Sequence, residues 1–308
     1  MKSNPRRTLW KLLCLLLAMV LAAMLAVSFY ARHLLNQIQY IPPETTQETA
    51  ESPTAAVENL LDTQVHILLI GQDRLPGEDR ARSDSMILCD FDPNTGTITM
   101  TSFLRDLYVP IPGHGSNRLN AAYALGGMAL LEKTLEENFG ITIDGCVEVD
   151  FQGFPQLVDL LGGVEIPLRP DEAQAINGTL GCTLEEGPQT LTGQQALAYA
   201  RLRKLDADGD FSRTQRQRTL LTNLLEGCRE MDPISALMLL EKALPLLTTD
   251  LTGPQLVKTG LALMPMLKNA RVVTRHVPAD GTYESKTIDG MSVLVPDLET
   301  NRALLTGD

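Results

Sequence analysis

The sequence predicts an α/β fold, a central mixed sheet flanked by helices as in an α-β-α sandwich, set behind one N-terminal transmembrane helix. Short apolar runs bounded by glycine and turn residues alternate with longer, helically periodic segments from Gln64 to the end, the pattern of layers around one sheet. The chain has 308 residues and is 44% apolar, enough to bury one sizeable core. Ahead of that stretch, residues 12–30 carry no charge at all.

Residues 1–11 contain Lys2, Arg6, Arg7 and Lys11 and no acid. The run LLCLLLAMVLAAMLAVSFY (12–30) has about the length a helix needs to cross ~30 Å of hydrocarbon. Only Arg32 and His33 follow it closely, so the basic bias puts residues 1–11 in the cytoplasm. Everything after the anchor then lies outside a cell membrane that the chain crosses once. A cleaved signal peptide is the competing reading, but its apolar segment runs ~7–15 residues, shorter than this one. Within residues 31–63, the stretch IPPETTQETAESPTAAVENLLDTQ is rich in Thr, Glu and Pro, which suits a solvated linker. Residues 64–308 remain as the extracytoplasmic domain.

In that domain VHILLIG (65–71) is a strand bounded by glycine, and SMILCDFDPNTGTITMTSF sets two strands around the turn Asp92-Pro93-Asn94-Thr95-Gly96, a hairpin. Residues 120–138 have helical periodicity, with Asn120 as N-cap and Gly140 as the stop. CVEVDF reads as a strand, FPQLVDLLGG as a short helix and VEIPL as a strand. TGQQALAYA is helical, RLR extended, and residues 212–231 form a longer helix ended by Pro233. Amphipathic segments follow at 234–247 and 253–267, and RVVTRHVP is a late strand.

The formal charge of −12 argues against a nucleic-acid binder working by bulk electrostatics. After residue 33 the imbalance deepens, to 21 basic against 38 acidic residues, so any anion site must be local. Cys14, Cys89, Cys146, Cys182 and Cys228 show no CxxC spacing, which disfavours a zinc or redox centre. The four beyond the anchor stand where disulfides are permitted, and their pairing is left open.

Three constellations can carry chemistry. In GQDRLPGEDRARSDS, Asp73 follows one strand and Asp84 opens the next, so both converge on one sheet end. Carboxylates so placed suit Mg²⁺, which takes one or two of them together with phosphate oxygens and water; a solvated acidic loop is the alternative. In SFLRDLYVPIP, Arg105 and Asp106 end the hairpin's second strand and return toward Asp84. In YARLRKLDADGDFSRTQRQ, Arg201 and Arg203 share a face if the backbone is extended, and Arg213 and Gln217 share a helix face. Such an array matches phosphate oxygens, which guanidinium groups hold bidentately. Asp206, Asp208 and Asp210 offer the other explanation, a surface ion-pair network. No serine elbow, phosphate-binding glycine loop or Cys/His pair is present, which favours chemistry without a covalent nucleophile; phosphoryl transfer is of that kind, needing mainly positioning and charge neutralisation, which arginines and Mg²⁺ supply.

These segments, HILLIGQDR, RSDSMILCDFDPNTGTITMTSFLRDLYVPIPG, RLNAAYALGG, VEVDFQGFPQLVDLLGGVEI and LTGQQALAYARLRK with FSRTQRQ, resemble the LytR-CpsA-Psr family of cell-wall ligases, in order, from about Val65 onward. The resemblance implies a phosphotransferase that moves an anionic glycopolymer, a teichoic acid or capsular polysaccharide, from an undecaprenyl-pyrophosphate carrier to peptidoglycan. By motif position Asp73 and Asp84 correspond to the family's Mg²⁺-associated carboxylates. Arg82, Arg105, Arg201, Arg203, Arg213 and Gln217 correspond to its pyrophosphate grip, and Arg118 falls where the family also has a basic residue. Arg105, Arg203 and Asp106 are the catalytic candidates, Asp106 as acceptor of the hydroxyl proton. The family's polyprenyl pocket would be lined by Ala121 to Leu135 and Phe154 to Leu161. Gln72, Cys89 and Cys146 depart from the usual pattern without removing a charged motif residue. A hydrolase of the same lipid pyrophosphate, or a non-enzymatic lipid-binding regulator, would use the same grip.

Overall fold

The computed structural model describes residues 33, 36–42, 64–73, 83–203, 205–206, 209–229 and 231–307. The expected anchor at 12–30, most of the linker and Arg82 lie outside the described residues. Among the described residues no helix is long and apolar enough to cross a membrane.

A seven-stranded mixed sheet forms the centre: β1 (Gln39–Tyr40), β2 (Val65–Gln72), β3 (Ser83–Asp92), β4 (Thr97–Phe103), β7 (Gly145–Asp150), β10 (Thr248–Thr249) and β11 (Arg271–Val277). Their spatial order is β1-β10-β7-β2-β3-β4-β11. β2 runs antiparallel to β3 and parallel to β7, while β11 lies parallel to β4. The expected hairpin is β3–β4, and Asp92 makes its turn by accepting from the Asn94 amide at 2.9 Å and the Thr95 hydroxyl at 2.8 Å.

The near-continuous apolar runs in β2 and β3 follow from burial on both faces. Leu68, Ile70, Met86 and Leu88 point to one side, where α1 (Leu119–Phe139) contributes Leu131, Leu135 and Phe139 to the main core. Ile87, Cys89 and Met100 point to the other, toward Leu221 and Leu225 of α5 (Asp210–Arg229). A satellite cluster joins α2 (Gly153–Leu160), the hairpin β8–β9 (Val164–Leu168, Gly187–Leu191), α3 (Pro170–Leu180), α4 (Gly193–Ala200) and Leu220. Gly193 is required by this packing, since a Cβ there would meet the Pro155 carbonyl oxygen at 2.0 Å. The remaining elements are β5 (Tyr108–Ile111), β6 (Gly115–Arg118), α6 (Pro233–Ala243), α7 (Gly253–Leu267), β12 (Tyr283–Ile288), β13 (Met291–Pro296) and α8 (Leu298–Thr306).

Several expectations are corrected. Arg118, not Asn120, caps α1, because Asn120 is buried at 3% and already helical; Gly140 ends the helix in the left-handed region at φ 66° as expected. Pro233 opens α6 rather than merely ending the helix before it, since a proline at the first helical position loses no intrahelical hydrogen bond. The RLR segment is not extended: Arg201 is the helical C-cap of α4. The hairpins β5–β6 and β12–β13 and the helices α3 and α8 were not anticipated. Cys89, Cys146, Cys182 and Cys228 are free thiols, and burial pushes the Cys89 thiol up to about 12.

Candidate active site

The C-terminal ends of β2, β7 and β4 and the start of β3 lie together at one end of the sheet, because β3 is antiparallel to both its neighbours. Such strand ends are where open α/β sheets place ligands. A register shift between Gly71 and Gln72 marks the exit of β2, where a Cβ on Gly71 would stand 3.1 Å from that of Ser85.

Asp84, second residue of β3, is the hub. Its carboxylate accepts from Arg105 Nη1 at 2.8 Å and from Arg203 Nη2 at 3.2 Å. Arg213 Nη2 donates to the Asp84 carbonyl at 3.1 Å, and Arg213 Nη1 lies 3.9 Å from the carboxylate. Three elements thus deliver three guanidinium groups: the turn after β4, the loop after α4 and the first turn of α5. Arg213 is only 1% exposed, and burial, opposed by the Asp210 charge, lowers its pKa to about 10, which still leaves it cationic at neutral pH.

Asp210 balances the array from below. It lies 2.7 Å from Arg213 Nη2 and 3.4 Å from Arg105 Nε, yet neither contact lines up as a hydrogen bond. Burial raises its pKa against the pull of Arg213 and Arg105. For Arg105, burial acts to lower the pKa, but Asp210, Asp106 and Asp84 outweigh it and raise it. Asp106 stands 3.8 Å from Arg105 Nε and 3.4 Å from Arg118 Nε, and Arg118 also donates to the Ser292 carbonyl at 2.6 Å. Arg105 Nε, Arg213 Nε and Arg213 Nη1 are buried donors without a hydrogen-bond acceptor among the described residues. Leaving such donors unmet is costly, and an anion entering the cluster would satisfy them.

Arg201 and Arg203, expected to share a face, diverge. The helical turn at Arg201 directs it over the Phe151 ring, 4.6 Å from the centroid, with Asp73 at 3.8 Å, while Arg203 turns to Asp84. Gln217, one turn after Arg213, has a buried Oε1 with no partner.

Beside this cluster opens an apolar cavity of about 380 Å³ between the sheet and α2, α4, α5 and α6. Gly71, Ser85, Phe151 and Gln217 are on its wall, which ties it to Asp73, Asp84, Arg201 and Arg213, and its interior is formed by residues such as Leu69, Ile87, Val149, Leu161, Leu197 and Leu224. Of the two segments expected to line an apolar pocket, Phe154 to Leu161 lines this cavity. Ala121 to Leu135 does not: α1 packs on the opposite side of the sheet, with Leu131 and Leu135 fully buried in the core.

Asp73 and Asp84 are oxygen donors of the class that a hard divalent cation takes. Asp73 is 42% exposed and, among the described residues, has Arg201 at 3.8 Å as its ion-pair neighbour, while the two Asp84 oxygens are engaged by Arg105 and Arg203, so a cation there would share Asp84 with the arginine fork. Sequence reasoning missed Asp210, which it grouped with surface acids; the signal was its i, i+3 spacing from Arg213 at a helix start. It also missed the buried polar triad of Gln72, Tyr123 and Glu148, in which Glu148 accepts from both the Gln72 amide and the Tyr123 hydroxyl.

The LytR_cpsA_psr family profile matches residues 36–306. The regulatory protein MsrR of Staphylococcus aureus is 33% identical over 248 residues, 78% of this chain and 73% of that protein. The polyisoprenyl-teichoic acid–peptidoglycan teichoic acid transferase TagU of Oceanobacillus iheyensis is 42% identical over 163 residues, 51% of this chain and 49% of TagU. Among solved structures, the family protein YwtF (TagT) of Bacillus subtilis with bound octaprenyl pyrophosphate lipid superposes with a TM-score of 0.65 at 25% identity, covering 87% of this chain and 98% of that one. A family match over residues 36–306, together with a relative 33% identical over 78% of the chain, has one consequence: this chain belongs to the LytR-CpsA-Psr family.

Proposed function

We propose that the protein is a phosphotransferase that moves an anionic glycopolymer, a teichoic acid or capsular polysaccharide, from a polyprenyl-pyrophosphate carrier, undecaprenyl in kind, onto peptidoglycan. The observation that carries this reading is the junction of Arg105, Arg203 and Arg213 around Asp84 with the apolar cavity beside them. A charged head group and a long hydrocarbon tail on one ligand need that combination. The names of TagU and of the lipid-bound TagT structure support the same chemistry in relatives.

In the reaction proposed, the tail lies in the cavity and the arginines hold the pyrophosphate oxygens. A sugar hydroxyl of the acceptor attacks the phosphorus that bears the glycan, forming a new P–O bond. The bridging P–O bond to the lipid phosphate breaks, the lipid phosphate leaves with its electron pair, and the hydroxyl proton passes to a carboxylate. Asp106, in ion-pair contact with Arg105 and Arg118, is our candidate for that acceptor. Arg105 and Arg203 neutralise the charge that grows on the bridging and equatorial oxygens. Mg²⁺, held by Asp73 and Asp84, would supply further neutralisation of the pyrophosphate. Arg82, Arg118, Arg201 and Gln217 complete the grip in this reading. Residues 12–30 anchor the protein in the cell membrane with the domain outside, where carrier and wall meet.

The test is the full chain in lipid nanodiscs with a polyprenyl-pyrophosphate-linked oligosaccharide, Mg²⁺ and peptidoglycan fragments, read by mass spectrometry. A phosphodiester-linked adduct is the expected product. Release of glycan phosphate with water alone would make the protein a hydrolase, and lipid binding with no product would make it a carrier-binding protein.

A further inference from the structure

α5 separates two cavities. At 100° per residue, Arg213, Gln217, Leu220 and Leu224 (i, i+4, i+7, i+11) face the arginine cluster and the apolar cavity, while Phe211, Gln215 and Arg218 (i, i+4, i+7) face the other way. The second face borders a polar cavity of about 440 Å³, closed on its far side by His276 of β11 and Tyr283 of β12. It adjoins the reactive centre: Phe211 directly follows Asp210, and His276 pairs in register with Ser102, three residues before Arg105.

Arg218 makes this cavity more than a surface hollow. It is 3% exposed, and among the described residues its single hydrogen bond is to Gln215 Oε1 at 2.6 Å. Nε and Nη1 are buried without a partner, and burial alone lowers its pKa, to about 10. The other arginines on this wall are matched by acids: Arg216 by Glu172 at 2.7 Å, and Arg169 by Asp171 and Asp206, each at 2.9 Å. Among the described residues no carboxylate pairs with Arg218. A buried guanidinium without a counter-ion is destabilising unless something else supplies the charge. Around it, the Phe211 ring lies 5.4 Å from that of Tyr283 and 5.2 Å from that of His276, giving flat surfaces of the kind that sugar rings stack against.

We infer that this cavity is the acceptor subsite, taking a saccharide that carries a carboxylate, with Arg218 holding the carboxylate and Tyr283 the ring. The two cavities lie on opposite faces of α5, so a saccharide in the polar cavity leaves the space for the lipid tail free while lying next to the segment that carries Asp210. The inference rests on the transfer reading above for the word acceptor, but the saccharide site is testable without it.

The experiment is calorimetric titration of the full chain in nanodiscs with a soluble disaccharide–peptide fragment of peptidoglycan bearing free carboxylates, and separately with a glycerol-phosphate oligomer. In Arg218→Met, affinity for the carboxylated fragment falls at least about tenfold, because a charge-assisted contact is lost. The melting temperature is unchanged or higher, because an unpaired buried charge has been removed, and lipid-pyrophosphate binding stays at the wild-type level. Tyr283→Leu, at the cavity rim, weakens the same fragment and serves if Arg218→Met does not fold. Wild-type fragment affinity in either folded variant overturns the site. Tighter, Arg218-dependent binding of the glycerol-phosphate oligomer overturns the acceptor assignment, by giving the cavity to the donor's polymer. Arg218-dependent fragment binding without transfer by any chain upholds the saccharide site while the transfer reading fails; transfer with wild-type acceptor KM in Arg218→Met does the reverse.

Discussion

Arg105 Nη1 donates to Asp84 Oδ1 over 2.8 Å, tying the turn after β4 to the second residue of β3. Because Arg203 and Arg213 converge on the same residue, Asp84 is the internal anion around which the guanidinium fork is assembled before any phosphate arrives. In the proposed reaction an entering pyrophosphate would exchange one anion for another, so the fork would need little reorganisation to bind it.

Arg203→Ala and Arg105→Ala should each lower transfer by about 10²-fold or more, the usual cost of removing a preorganised donor to developing charge. Arg203 is 40% exposed, so its loss should shift the melting temperature by no more than about 2–4 °C. Product formation and thermal unfolding measured on the same preparations check both. A variant that transfers at the wild-type rate removes that arginine from the mechanism.

The cavity makes a separate prediction about the tail. Ala200 ends α4 and lines the cavity wall, so Ala200→Phe fills space that the hydrocarbon would occupy. Each methylene kept out of the cavity forfeits ~0.8 kcal/mol, and two or more should weaken a long polyprenyl pyrophosphate by about tenfold or more. Binding of a short-chain pyrophosphate should change little. Equal losses for long and short chains would mean that the cavity does not hold the tail.

Chelation tests the cation. Transfer should vanish with EDTA, return with Mg²⁺, and fall by about 10²-fold in Asp84→Asn, which weakens the cation site and the arginine hub together. Asp73→Asn should raise the Mg²⁺ concentration needed for half-maximal rate, because among the described residues Asp73 pairs with Arg201, at 3.8 Å, and not with Arg105, Arg203 or Arg213 of the fork. Full activity in EDTA would refute the Mg²⁺ reading.

What the sequence revealed follows from the range of the interactions. β2 and the β3–β4 hairpin were legible because apolar runs around Asp92 to Gly96 are local signals, and Gly140 and the helix of 212–231 were legible for the same reason. The arginine positions were visible as residues, but their convergence on Asp84 depends on pairing β3 with β4 and on contacts from α5 across 129 residues of chain. Asp210 was legible only as an acid three residues before Arg213; that it is buried in the site, while Asp206 pairs with Arg169 and Arg216 outside it, depends on tertiary packing. The side of the sheet on which the apolar cavity lies was equally invisible: the faces of Ala121 to Leu135 and of Phe154 to Leu161 are both apolar, and only the packing of α5 decides between them.

Asp210 should be essential to stability as well as to the site. Asp210→Ala leaves Arg213, 2% exposed at the side chain, beside Arg105 with its nearest acid removed. Breaking a buried ion pair from one side typically costs about 3–5 kcal/mol. Urea unfolding should show a loss of that order, and a loss below about 1 kcal/mol would mean that Asp84 alone compensates the charge.

Glu132 on α1 predicts a pH dependence remote from the site. Burial, then the charges of Asp250 and Glu136, raise its pKa to about 7, while a hydrogen bond from the Cys146 thiol opposes them. In the unfolded chain the group returns to the ordinary glutamate value of 4.5. Between those values the folded state holds a proton that the unfolded state has released, so stability falls as pH rises from about 4.5 to about 7 and levels off above. Asp250, also raised by burial, adds to the fall with the same sign. Glu132→Gln keeps the shape without the charge and should remove about 1–2 kcal/mol of that loss, after allowing for solvent screening of a half-buried group. Urea midpoints at pH 5 and pH 8 should therefore differ less in Glu132→Gln than in the wild type. Equal differences would show that Glu132 ionises in the folded protein as it does in water.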